Sequence, residues 1–132
     1  WEYAVRGGMP SEFPYSFGFN DNNELDNHGW YWGNSKKRTH AVGARKANPL
    51  GLFDMHGNVG EWTQDFYDEY YGVKDFKAVA TDPAGSAKGS DWVIRGGSWF
   101  DNARGLRSAV RSYGVPGHRS NDVGFRLARS PR

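Results

Sequence analysis

Val93-Ile94-Arg95-Gly96-Gly97-Ser98-Trp99 opens, and Val123-Gly124-Phe125-Arg126-Leu127-Ala128 closes, the segment whose reading decides the fold. Both ends read as strands. Between them there is no apolar period at helix or strand spacing, and Gly105, Gly114, Pro116 and Gly117 punctuate the run as turns. Such a middle is surface, not core. Buried Trp99, Leu106, Ala109, Val123, Phe125 and Leu127 are expected to hold it rigidly while its other side chains face outward. From Arg95 to the end the chain has no Lys, Glu, Gln or Met. Arg, Tyr, Ser, Gly, Asn and Asp dominate instead, the vocabulary of adaptable recognition surfaces. The plainer reading is a solvated surface that merely lacks the missing residue types.

The whole chain agrees with a loop-rich protein. Its 132 residues make one domain or part of one, with 18 Gly, 6 Trp, 7 Tyr, 8 Phe and only 37% hydrophobic residues. Regular structure should be sparse, and aromatic rings joined by tight Gly and Asn turns should supply much of the core. A net charge of +2 with scattered Lys and Arg is too weak and too diffuse for a nucleic-acid partner. The absence of cysteine removes disulfides, thiolate metal sites and thiol nucleophiles together. No apolar stretch approaches the length of a membrane span, and the first residues given do not read as a signal peptide.

Trp1-Glu2-Tyr3-Ala4-Val5-Arg6-Gly7-Gly8 reads as the last turns of a helix, with Trp1 and Val5 inward and a glycine cap. That beginning suggests an N-terminally truncated domain. Met9 to Asn34 mixes Pro, Gly and Asn with seven aromatics, predicting a long loop pinned by rings, with a helical turn near Glu24 to His28. Lys36-Lys37-Arg38 reads as a solvated turn. Gly51 to Thr63 begins apolar, turns at Gly57-Asn58 and ends in a strand carrying Trp62. Asp82-Pro83-Ala84-Gly85 is a type I turn candidate in a connecting excursion.

Catalytic signatures are poor. His28, His40, His56 and His118 show no metal-ligand spacing, and Ser98 in Gly-Gly-Ser-Trp is not a nucleophile elbow. Gly85 to Ser90 lacks the spacing of a phosphate loop. Asp54 and Glu61 are more suggestive, since two carboxylates flank the Gly57-Asn58 turn and a hard cation such as calcium wants carboxylate and carbonyl oxygens together. The alternative is an Asp that accepts backbone N–H bonds at the turn.

These residues resemble a known family. Trp1 to Gly8, Gly51-Leu52-Phe53-Asp54-Met55-His56-Gly57-Asn58-Val59-Gly60-Glu61-Trp62, Arg95-Gly96-Gly97-Ser98-Trp99, Arg107-Ser108-Ala109 and Gly124-Phe125-Arg126 are similar, in order, to the signatures of the formylglycine-generating enzyme (sulfatase-modifying factor) family. The resemblance implies an α+β fold, a variant of the C-type lectin fold with short antiparallel strands and long ordered loops. It implies a single lectin-fold domain over residues 1–132, whose family normally continues upstream. It also implies a structural calcium site formed by the side chains of Asp54 and Glu61 and the carbonyls of Gly57 and Val59. A second family calcium site has no counterpart in residues 20–34. Members that make formylglycine carry a cysteine pair at positions falling here within 99–106, where no sulfur stands, so thiolate copper and redox chemistry is not expected.

The C-terminal part resembles one non-catalytic branch, the variable proteins of diversity-generating retroelements. These diversify a ligand-binding surface between R-G-G-S-W and G-F-R by mutating adenines in AAC codons. Such codons do not yield Lys, Glu, Gln, Met or Trp. Phe100, Asp101, Asn102, Gly105, Val110, Ser112, Tyr113, Gly114, Val115, His118, Ser120, Asn121 and Asp122 obey that restriction. With Trp99 they form the expected ligand-binding set, within a variable-region-like segment spanning residues 93–127. The resemblance implies a receptor-like protein that binds a protein or other macromolecule at a bacterial or phage surface or outside the cell. The alternatives are an enzyme of the family using another metal site, and an accessory domain fused to a kinase or surface protein.

Overall fold

The computed structural model describes residues 1–20, 23–70, 85–86 and 88–129. Helix α1 (Glu2–Arg6) ends at Gly7, whose φ of 58° closes it in the left-handed conformation as the sequence predicts. Helix α2 (Leu25–His28) is a single turn where the helical signal lay. It runs straight into β1 (Gly29–Trp30), which pairs in parallel with β2 (His56–Gly57). That pairing requires glycine. A Cβ on Gly29 would stand 2.1 Å from the His56 carbonyl oxygen, and one on Gly57 2.1 Å from that of Trp30.

The larger sheet has the strand order β5 (Ser112–Gly114), β4 (Trp92–Arg95), β3 (Gly60–Phe66), β6 (Val123–Gly124). Strands β3 and β4 are antiparallel, with Trp62 opposite Ile94 and an irregularity between Trp62 and Phe66. Strand β5 adds antiparallel to β4, and β6 adds parallel to β3. A 3-10 turn, Ala103–Leu106, lies between β4 and β5. Asp82, Pro83 and Ala84 of the expected type I turn lie outside the described residues.

Tyr15, Leu25 and Leu106 form the core cluster, with Phe17, Tyr31 and Ala103 packed against it. Loop rings do anchor the fold, although Phe19 and Trp32 stay largely exposed. At the centre lies His56, edge-on to the rings of Tyr15 and Phe17. Its Nδ1 is 2.8 Å from the Leu106 carbonyl, and its Nε2 is 2.9 Å from Ser16 Oγ and 3.2 Å from Ser16 N. These partners select the neutral tautomer, in which Nδ1–H donates and Nε2 accepts. Burial pushes the imidazole down to about 4, against the opposing pull of the Leu106 carbonyl.

The expected framework needs correction at its margins. Leu106 is fully buried, and Trp99 and Val123 are half-buried, but Ala109 is exposed. Phe125 and Leu127 are 74% and 90% exposed. The cause is Arg126, which turns inward to Glu61, so its neighbours along the extended chain turn outward. Arg126 Nε lies 2.8 and 2.7 Å from the two Glu61 carboxylate oxygens, and Trp1 Nε1 donates to Oε2 at 2.7 Å.

Two outcomes follow in denaturant titrations. An unfolded imidazole titrates near 6.5 and the buried one near 4, so the unfolded state binds a proton first as pH falls between those values. His56 should therefore remove up to about 3 kcal/mol of stability over that window. The His56→Gln variant, though less stable at pH 7, should lack that part of the slope; an unchanged slope would refute the assignment. Arg126→Ala strands the buried Glu61 carboxylate and should cost about 2–3 kcal/mol, somewhat less than for a fully buried pair. A loss below about 0.5 kcal/mol would show that water replaces the guanidinium freely.

Candidate ligand-binding surface and cation site

Between β4 and β6 the chain is tied down by polar contacts. Arg95 is buried, and its Nη2 donates to Glu2 Oε2 at 2.7 Å and to the Ser108 carbonyl at 2.9 Å. Its Nη1 donates to the Val110 carbonyl. Asp101 Oδ2 accepts from both Ser98 N and Ser98 Oγ at 2.9 Å, closing the bend after Gly97. Asn102 Oδ1 caps the 3-10 turn through Arg104 N at 3.0 Å. Ser108 N then reaches the Pro14 carbonyl at 2.7 Å. The backbone is held even where side chains face water.

The expected binding residues divide into two groups. Phe100 and Tyr113, 58% and 56% exposed, stand outward with Asn102, Ser112, Val115, His118, Ser120 and Asn121. Trp99, Asp101, Gly105, Val110, Gly114 and Asp122 are half-buried. Several of these six carry framework contacts. A Cβ on Gly105 would lie 3.0 Å from Asp101 Cβ, and one on Gly114 would lie 2.8 Å from the Trp62 ring. The Asp122 carbonyl accepts Gly60 N at 2.8 Å, and its carboxylate accepts Ser120 Oγ. Trp99 N bonds the Asn58 carbonyl at 2.9 Å, and its indole N–H reaches the Asn121 carbonyl at 3.1 Å.

The exposed rings rest in separate clusters. Phe100 meets Trp99 and Trp32 edge-on at 5.6 and 5.7 Å, whereas Tyr113 lies 4.3 Å from Tyr67, over which Arg111 sits at 5.0 Å. Trp32 is anchored to the same bend, since its N–H donates to the Asp101 carbonyl at 2.9 Å. On another part of the surface, Trp62, Thr63 and Trp92 face the Pro116–Arg119 loop across a cavity of about 440 Å³. The sequence marks Trp32 as a loop anchor and gives Tyr67, Trp62, Trp92 and Arg119 no binding role. No local pattern joins Trp32, Tyr67, Trp62 and Trp92 to residues 99–122; the contacts span tens of positions.

The expected cation site is asymmetric. Asp54, Gly57 and Asn58 have φ of 56°, 85° and 66°, so the backbone coils tightly here. Asp54 Oδ2 accepts Gly43 N at 2.7 Å, but its buried Oδ1 has no hydrogen-bond partner among the described residues. Such an oxygen fits a hard cation. Glu61 fits less well, because Arg126 and Trp1 already engage its carboxylate. Arg126 Nη2 also donates to the Phe53 and Asp54 carbonyls at 3.0 and 3.2 Å. Gly57 N is bonded to the Gly96 carbonyl at 2.9 Å, and Val59 packs where a Cβ on Gly124 would stand, 3.0 Å from its Cγ2. Among the described residues no group of three or more His, Asp or Glu side chains converges, so a cation here would depend on backbone carbonyls beside Asp54.

No helix among the described residues is long and apolar enough to cross a membrane. The segment 99–106, where catalytic relatives are expected to hold their cysteines, forms the Asp101 bend and the 3-10 turn without a thiol.

The family model for the sulfatase-modifying factor enzyme 1-like domain matches residues 1–131. The solved structure of Treponema denticola variable protein 1 superposes with a TM-score of 0.81 at 38% identity, covering 95% of this chain and 43% of that one. Serine/threonine-protein kinase pkn1 of Chlamydia caviae is 36% identical over 130 residues, 98% of this chain and 20% of the kinase. Formylglycine-generating enzyme of Mus musculus is 30% identical over 146 residues, 97% of this chain and 37% of the enzyme. The chain thus spans less than half the length of each of these proteins. Among the described residues, the small mixed sheet, two short α-helices and long ordered loops make the α+β, C-type-lectin-like architecture shared with Treponema denticola variable protein 1. Sequence and fold agree that the chain belongs to the sulfatase-modifying factor enzyme 1-like domain family.

Proposed function

We propose that this chain is a non-catalytic binding domain that presents Phe100, Ser112, Tyr113, Val115, His118, Ser120 and Asn121 to a protein ligand. The observation that carries this reading is the division within residues 99–122. Exposed side chains alternate with residues that hold the backbone through Asp101, Leu106 and Ser108. Because the backbone is already ordered, exchanging the outward side chains costs the fold little, and binding avoids much of the entropy of ordering a loop. The likeness to a variable protein and the absence of any cysteine support binding over thiol chemistry. Such a surface belongs on the outside of a bacterial cell or phage, where partners vary. A second reading is an accessory module of a longer protein, favoured by the 36% identity to a kinase of which the chain matches 20%.

The test is tolerance. Phe100→Ser, Tyr113→Ser, His118→Ser and Asn121→Ser should each change unfolding free energy by about 1 kcal/mol or less. Asp101→Ala and Gly114→Val should cost about 1–3 kcal/mol. If the outward set proved as destabilising as the framework set, the display reading would be lost. Sequencing the gene's flanks supplies the second arm. A near-copy of the segment for residues 93–127, differing at adenines beside a reverse transcriptase gene, would establish diversification, and its absence would leave a static binding protein.

The same reading includes a structural calcium ion at Asp54, with the Gly57 and Val59 carbonyls and a remaining lone pair of Glu61. The ion would supply the positive charge that Asp54 Oδ1 lacks. Calcium at saturating concentration should raise the melting temperature by about 5 °C or more over chelator. Asp54→Ala should abolish the increase; identical melting in calcium and chelator would argue against the ion.

A further inference from the structure

We infer that the cavity between Trp62, Trp92 and the Pro116–Arg119 loop is an anchor pocket for an aromatic side chain of a protein ligand, with a neighbouring Asp or Glu carboxylate placed on Arg119. Trp62 and Trp92 stand on one face of the sheet. Trp62 is opposite Ile94, and Trp92 lies two residues before Ile94 on the same strand. Strand β5 continues that face with Gly114, opposite Trp92. Because Gly114 has no Cβ, the Trp62 ring lies across it, and a Cβ there would meet the ring at 2.8 Å. The result is a cavity of about 440 Å³ walled by two indoles and by Pro116 and Gly117. Anchors of this kind are large, rigid rings desolvated in a preformed pocket.

Charge selects the neighbour. Arg119 lines the cavity, is exposed, and among the described residues makes no hydrogen bond or ion pair. A carboxylate beside the inserted ring would complete it. The chemistry disfavours a sugar, because among the described residues the wall offers Thr63, His118, Arg119 and two indole N–H donors, with no carboxylate or amide to accept from the hydroxyls of a buried pyranose. One arginine is likewise no groove for a nucleic-acid backbone. Position 114 would then act as the selector of the pocket, since any side chain there displaces Trp62.

The proposal rests on residues 99–122 being a binding surface, and the experiment separates the two. The probe is acetyl-Gly-Phe-Glu-Gly-amide, titrated into the ¹⁵N-labelled full chain while the indole N–H resonances of Trp62 and Trp92, assigned through Trp62→Phe and Trp92→Phe, are followed. The peptide should move both resonances. The Glu-to-Gln peptide should bind about three-fold more weakly. Arg119→Gln, on an exposed loop, should erase that difference while keeping the shifts, and Gly114→Val should abolish binding of both peptides. Unmoved Trp62 and Trp92 resonances would overturn the pocket, as would equal affinity of the two peptides or stronger shifts with methyl β-galactoside. Failure here alongside tolerant substitutions at Phe100, Tyr113 and His118 sinks the pocket alone. Peptide binding with intolerant surface positions sinks the wider display reading instead.

Discussion

The constraint on which the rest depends is the buried guanidinium of Arg95. A charge removed from water must be met by oxygen atoms in fixed places, and the chain supplies them from Glu2, Ser108 and Val110. One side chain thereby joins the first helix, the strand β4 and the far side of the loop that follows. Trp1 packs near the same guanidinium, its ring 5.1 Å away, while its indole N–H goes to Glu61. The Glu61–Arg126 pair then fixes the other edge of the sheet. Regular strands here are two to seven residues long, too short to specify a fold through their ladders alone. Ionic and hydrogen-bonded crosslinks between distant segments do that work.

That economy explains how a loop serves as a surface. Residues 99–122 contain little secondary structure, yet Asp101, Asn102, Ser108 and Trp99 each tie their backbone to a named partner. The outward side chains contribute little to this network. On the proposed reading, recognition and stability fall to different residues of one segment, which is what a surface that changes without unfolding requires. Two positions carry both demands. Gly114 and Asp101, expected among the binding residues, also support Trp62 and the Ser98 bend, so there variation and fold compete.

His56 and Asp54 show the same principle at the other end of the motif that carries them. One neutral imidazole sits in the core because Leu106 and Ser16 satisfy both ring nitrogens. Two residues earlier in the chain, Asp54 keeps an oxygen that no donor among the described residues meets. The first is a finished contact and the second an open one, which is why the proposed cation lies at Asp54 and not at His56.

What the sequence by itself determined was local and periodic. The glycine cap after α1, the turn at Gly57-Asn58, the strand Trp92–Arg95 and the loop-like character of the run beyond it all follow from backbone preferences within a few residues. The ordered motifs were sufficient to indicate the family and its α+β fold. Only the tertiary structure decided which side of an extended segment faces inward. Val123 to Leu127 alternates well enough for either phase, and the pull of Glu61 on Arg126 turned Phe125 and Leu127 to water. It alone also decided that Trp62 lies over Gly114 and that Trp32 joins the Asp101 bend. Those contacts join residues about 50 and 70 positions apart, and their energy depends on distances in space that no local pattern of residue types encodes.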